Sequence, residues 1–285
     1  MRAVDRRCVA LVTWFCVALS GCATPDAVRD FAKSARDVTS QFPQFAQDFA
    51  DSCVRRKLAD QKVTAIEDSS KLATTSCRED FDLIPDLNVA GDVLTRYLDA
   101  LNRLASNGTV QYDKEVDGLA SSLKPSVRLS PATIGAVQGL AKVLSAAVAS
   151  GYQRKKLAEG VKAADVHVAV LTEALGHVVG VEYLRNLDNE ESSLLARYQD
   201  AMRSTGNNDG IALLLQRQWR RDIEALQKKK LAAASYRKAL EKVRDGHKQL
   251  ALRSTHWSAN ELAKELGPYT TSIQSLAASI SATTF

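Results

Sequence analysis

The stretch Leu194–Lys230, LLARYQDAMRSTGNNDGIALLLQRQWRRDIEALQKKK, decides the fold. Its middle, TGNNDG at 205–210, gathers turn-forming residues inside a tract that otherwise lacks them. No proline stands between Pro131 and Pro268. Before the break, apolar residues recur helically at Leu171, Leu175, Val178, Leu184, Leu187, Leu195 and Tyr198. After it the spacing is close to heptad: Leu215, Trp219, Ile223, Leu226, then Ala233, Tyr236, Leu240, Val243, His247 and Leu250. Two segments of about 40 residues around one tight turn predict a long antiparallel, coiled-coil-like hairpin, ~60 Å per arm.

The flanks carry the same helical signature. Ser130-Pro131 is a cap-plus-proline start, followed by Ile134, Val137, Leu140, Leu144 and Val148. Gly151 and Gly160 are places where that helix can bend or end. Trp257, Ser258, Glu261 and Leu262 form a capping box with its staple, and Gly267-Pro268 is expected to stop the helix that follows. A last helix covers about 269–282. Toward the N-terminus, Thr24-Pro25-Asp26 opens a helix to about residue 40, and Phe42, Phe45, Phe49 and Cys53 mark a second. Residues 61–85 read as polar and irregular. Leu94, Tyr97, Leu98, Leu101 and Leu104 form a helix ended by Asn107-Gly108, and Tyr112, Val116, Leu119 and Leu123 a short one before Pro125. No alternating strand pattern of useful length occurs. The expected fold is all-α, a helical bundle built around the hairpin. Three segments are expected: 1–21, a cleaved leader; 22–125, an N-terminal helical region; and 126–285, a long-helix bundle that turns near 205–210.

The leader reads from the other end of the chain. Arg2, Arg6 and Arg7 precede an apolar run, Cys8–Leu19, and then Ser20-Gly21-Cys22. Twelve helical residues span ~18 Å, short of the ~30 Å hydrocarbon core, so a secretory signal fits better than a permanent span. Leu19-Ser20-Gly21-Cys22 resembles the lipobox of bacterial lipoproteins. The resemblance covers only the first two dozen residues. It implies cleavage before Cys22 and acylation of the Cys22 sulfur and amino group. Several acyl chains make such attachment stable. By analogy, Ala23 after the lipidated residue points to the outer membrane, facing the periplasm.

Five cysteines are present. Cys8 and Cys16 leave with the leader and Cys22 carries lipid, so Cys53 and Cys77 remain. In an exported chain this pair reads as a structural disulfide; no C-x-x-C spacing suggests redox work. Removing 1–21 takes three Arg and one Asp from 38 basic and 33 acidic residues, leaving 35 and 32. That near balance gives a nucleic-acid partner little support. Aromatics at 6% and sparse Gly and Pro favour helix.

Catalytic signatures are missing. There is no H-E-x-x-H, G-x-S-x-G, P-loop or dinucleotide fingerprint. Of the four histidines, His177 follows Glu173 by one turn and reads as a surface ion pair; His247, at a heptad position, reads as a partly buried core residue. A metal site would need His167, His177 and His247 to converge, and neither metal nor cofactor is expected. Glu190-Glu191 reads as a solvated face. One charge cluster stands out: Arg217, Arg220, Arg221, Lys228, Lys229 and Lys230, offset by Asp222 and Glu224. It reads as the wet face of a hairpin arm, with contact to an anionic surface as the functional alternative. The expected function is that of a non-enzymatic interaction or scaffolding module of the cell envelope, held to a bilayer through acylated Cys22 and meeting an envelope protein. The alternatives are an envelope-acting enzyme with a dispersed active site and a self-assembling coiled-coil lipoprotein.

Overall fold

The structure, a computed structural model, describes residues 24–60, 66–106, 118, 120, 121, 123, 129–149, 154–253 and 259–282. The lipobox with Cys22 lies outside the described residues. So do Asn107-Gly108, Tyr112, Val116, Leu119, Gly151, Trp257 and Ser258.

The protein is all-α, with no strand among the described residues. Its helices are α1 (Thr24–Thr39), α2 (Phe42–Asp60), α3 (Ile66–Ser76), α4 (Arg78–Ala105), α5 (Pro131–Ala149), α6 (Arg154–His177), α7 (Leu184–Ser204), α8 (Asp209–Leu252) and α9 (Ala259–Ser281). A π-helical segment, Val178–Tyr183, joins α6 to α7 without a break. The hairpin is therefore α6-π-α7 against α8. At its turn Gly206 adopts φ +56°, and Asn208 caps α8 by accepting the Ile211 amide at 3.2 Å. Both devices were signalled by TGNNDG, since glycine tolerates left-handed backbone and Asn is a strong N-cap. The 44-residue α8 is about 66 Å long.

The π turn has a cause in the sequence. The apolar stripe of α6 runs through Leu171, Leu175 and Val178. It resumes at Tyr183, Leu187 and Leu194, one residue late for a 3.6-residue period. A wider turn absorbs that residue and returns the stripe to the core. Tyr183 and Leu187 are fully buried as a result.

Three local expectations are corrected. Residues 66–76 are helical, and α4 begins at Arg78, inside the stretch 61–85 that reads as irregular. It continues through Pro85, because Leu83, Ile84 and Leu87 already pack on the core and Cys77 is pinned by its disulfide. Likewise α9 does not stop at Gly267-Pro268. Proline offers no N–H to the Lys264 carbonyl, but Leu262, Leu266 and Ile273 share one buried stripe that holds the helix together across it. Gly160 ends nothing; α6 runs through it. Elsewhere Ser130 caps α5, its hydroxyl accepting the Thr133 amide at 3.1 Å.

One apolar core takes residues from every helix except α3, from Val28 in α1 to Ile280 in α9. The α1–α2 pair descends along α8 toward the hairpin turn. Phe31 lies at Gly246, Phe45 stacks on Tyr236 at 4.7 Å between centroids, and Asp48 meets Lys229. Thr24 therefore sits at the end of the bundle opposite the turn. From Gly246 to Asp209 alone is about 55 Å along α8. The stretch Leu157–Ser204 is long and apolar enough to cross a membrane by length and composition, but half of its most apolar window is buried in this core.

A glycine lets helices approach closely at Gly246, between α1 and α9. A Cβ there would stand 2.4 Å from Phe31 Cε2 and 3.2 Å from Tyr269 Cβ. Neither neighbour is the free end of a flexible chain. Gly246→Ala is expected to destabilise by about 1–3 kcal/mol through overpacking, despite alanine's better helix propensity. A urea midpoint equal to wild type would contradict this contact.

Candidate functional site

The helices converge on two polar clusters and one uncovered end. The first cluster lies where α2 crosses the hairpin. Asp48, Ser52 and Arg55 project from α2 at helical spacing, Tyr183 and Glu190 come from the π segment and α7, and Lys229 from α8. Asp48 Oδ1 accepts from Arg55 Nη1 at 2.9 Å and Lys229 Nζ at 2.7 Å. Its Oδ2 accepts from Arg55 Nη2 at 3.0 Å and from the Tyr183 hydroxyl. Glu190 accepts Arg55 Nε at 2.6 Å and the Ser52 hydroxyl at 2.7 Å. Two carboxylates face two cations in a site where Glu190 is only 2% exposed.

Electrostatics follows from that pairing. Burial alone would raise the Asp48 pKa, but the bonds from Arg55, Lys229 and Tyr183 outweigh it and hold the carboxyl below its ordinary value. Burial works against the Arg55 charge, yet Glu190 and Asp48 together push its pKa up. Desolvation, then the Asp48 charge, raises the Tyr183 hydroxyl and keeps it protonated. All four acceptor positions of Asp48 are filled, which leaves none to take a substrate proton. The cluster is chemically a clamp that fixes α2, α7 and α8 in register.

This overturns the reading of Glu190 as a solvated residue. Glu191 does face outward, paired with Lys230. It also divides the basic cluster of the sequence. Lys229 is drawn inward to Asp48, and Lys230 pairs with Asp188 at 2.6 Å and with Glu191. Arg217, Arg220, Arg221 and Lys228 remain exposed, with no carboxylate in ion-pairing range among the described residues. Composition could not separate these groups; the phase of α8 does. The signal that was available for Glu190 is its place on the apolar stripe between Leu187 and Leu194. Asp48, between Phe45 and Phe49, carries the same signal.

The second cluster is a Tyr97–His247–Asp165 relay joining α4, α8 and α6. His247 is 0% exposed, deeper than expected from its heptad place. Its Nδ1 lies 2.9 Å from Asp165 Oδ1 and its Nε2 2.8 Å from the Tyr97 hydroxyl. A carboxylate accepts, so Nδ1 donates to Asp165, and in that tautomer the Nε2 lone pair is placed to accept from the Tyr97 hydroxyl. Burial, reinforced by Asp165, raises the Tyr97 pKa and makes its hydroxyl a poor nucleophile. The other histidines do not join it. His167 packs beside Gly139, its pKa lowered by burial, and His177 is exposed with Glu182 at 3.7 Å rather than Glu173 as partner.

The end left uncovered by the described residues is the distal hairpin. Leu58 of α2 accepts a bond from Arg197 through its carbonyl, and α2 ends at Asp60. Beyond this level α7 and α8 pack chiefly on each other, with Tyr198 stacked edge-on against Trp219 at 5.5 Å. A cleft of about 490 Å³ opens there, walled by Leu58, Ala201 and Leu215, with Glu190 and Lys229 at its inner end. Past it, Ile211, Leu213 and Leu214 are 47%, 48% and 64% exposed. Leu195, expected within the apolar stripe, is exposed too, because no third helix among the described residues reaches it. Compared with known proteins, the chain matches no family model, no curated protein and no solved structure.

Proposed function

We propose that the chain is a lipid-tethered helical module of the bacterial envelope, non-enzymatic, whose distal hairpin is its interacting end. Acylated Cys22 holds the body to the periplasmic face of a membrane, the outer membrane by the Ala23 analogy. The observation that carries this reading is the polarity of the rod. The first helix starts two residues after Cys22, at one end; the exposed leucines and unpaired arginines stand some 55 Å or more away at the other. The tether confines the body to the membrane surface, which raises the local concentration of the tip for partners within a rod's length of the anchor. Saturated hydrogen bonding in the Asp48 cluster and a protonated Tyr97 support a binding role over a catalytic one.

The test is in cells. Acyl label is expected on the wild-type chain and absent from Cys22→Ala, which leaves the membrane pellet. A photoreactive residue replacing Leu214 is expected to give a discrete adduct of protein or lipid, and the same residue replacing the exposed Leu72 of α3 none. Label retained by Cys22→Ala, or equal adducts from both positions, contradicts the reading.

A further inference from the structure

On α8, residues 213, 214, 217, 220, 221, 224, 228 and 231 fall within one outward-facing third of the helix at 100° per residue. Leu213, Leu214 and Leu231 there are largely exposed. Between them stand Arg217, Arg220, Arg221 and Lys228 against the single Glu224. The inward face of the same length carries Leu215, Trp219, Ile223, Leu226 and Lys230. We propose that this outward stripe of α8 binds the anionic headgroup surface of a lipid bilayer, giving the tethered rod a second, electrostatic attachment to its own membrane. The inference rests on the reading of the distal hairpin as the interacting end.

Three observations select this occupant. Among the described residues these cations have no carboxylate partners, whereas Lys229 and Lys230 on the next face do, so the stripe holds charge for an external anion. Three of the four, Arg217, Arg220 and Arg221, carry guanidinium groups, which fork onto phosphate oxygens. The leucines interleave with them on a single convex helix, a shape suited to a fluid interface that lets leucine sink while the charged heads stay at phosphate level. A second copy of the chain is a poor occupant, because it would set like charges against each other. The tether keeps the stripe near its own bilayer.

The full lipidated chain is inserted by its anchor into vesicles of phosphatidylcholine, with or without phosphatidylglycerol. A fluorophore carried by an unnatural amino acid in place of Gln216 is read against nitroxide-labelled lipid. Quenching is expected with phosphatidylglycerol and its loss without. Combined Arg217→Glu, Arg220→Glu, Arg221→Glu and Lys228→Glu should abolish quenching with helicity unchanged. Leu213→Asn with Leu214→Asn, which keeps every charge, should weaken it. Exchanging chloride for inorganic phosphate at equal ionic strength should leave the probe quenched; release would make free phosphate the ligand and overturn the bilayer proposal. Equal quenching on both vesicle types, or quenching that survives the charge reversal, also overturns it. A chain that does not float with vesicles refutes the tether instead, whereas a floating chain with an unquenched probe refutes only the stripe.

Discussion

Replacing Arg55 with alanine is expected to lower the unfolding free energy by about 3–5 kcal/mol, the cost of leaving a buried charge without its partner. Among the described residues, Arg55 is the one side chain that hydrogen-bonds both buried carboxylates. Its loss strands Glu190 with only the Ser52 hydroxyl and leaves Asp48 to Lys229 and Tyr183. Glu190→Gln should cost less, because it removes a charge rather than orphaning one. Arg55→Met combined with Glu190→Leu should recover part of the loss, since an apolar pair of similar bulk needs no compensation. Urea titrations of the four proteins would check the order, and a loss below about 1 kcal/mol for Arg55→Ala would contradict the cluster.

The pH dependence has a definite sign. Asp48 binds its proton more weakly folded than unfolded. Its contribution is therefore complete above the unfolded carboxylate value of ~3.9 and is lost as pH falls through the lower native value. Wild type should lose stability on acidification into that window. Arg55→Ala should lose less there, because much of the depression at Asp48 comes from Arg55. A steeper acid loss in the variant would reverse the assignment.

The second large effect is expected at the Cys53–Cys77 disulfide, whose sulfurs bridge α2 to the turn before α4. The pairing expected from cysteine arithmetic is present in the structure. With 24 residues of separation, the chain-entropy model gives about 3 kcal/mol of stabilisation, lost on reduction or in Cys53→Ser with Cys77→Ser. The loss should be unequal along the chain. Helix α3 is polar, with Ala73 buried but Leu72 exposed, and it touches chiefly α2. Reduction should therefore raise hydrogen exchange first over 66–84 and leave α8 near Tyr236 protected. An unchanged urea midpoint, or exchange rising first in α8, would sink the idea of a local clamp.

Much of the architecture was legible because its causes are local. Periodic apolar residues define the helices, and Gly206 with Asn208 defines the turn whichever neighbours surround it. Ser130 caps α5 for the same reason. Pro85 and Pro268 misled for a physical reason. A proline removes one local bond, while the burial of Leu87 or Ile273 that outweighs it depends on helices far away in sequence.

By itself, then, the sequence determined the all-helical class, the hairpin and its turn, and the two cysteines that bridge. It also carries the Leu19–Cys22 resemblance on which the proposed tether rests. Only the tertiary structure decided that Glu190 lies buried against Arg55 and Ser52, that Lys229 turns inward while Arg217, Arg220, Arg221 and Lys228 stay in water, and that the distal hairpin is left uncovered. The reason is range. Helix propensity and capping act within a turn or two of chain, whereas the burial of a charge and the exposure of a face are set by which distant helices arrive beside it.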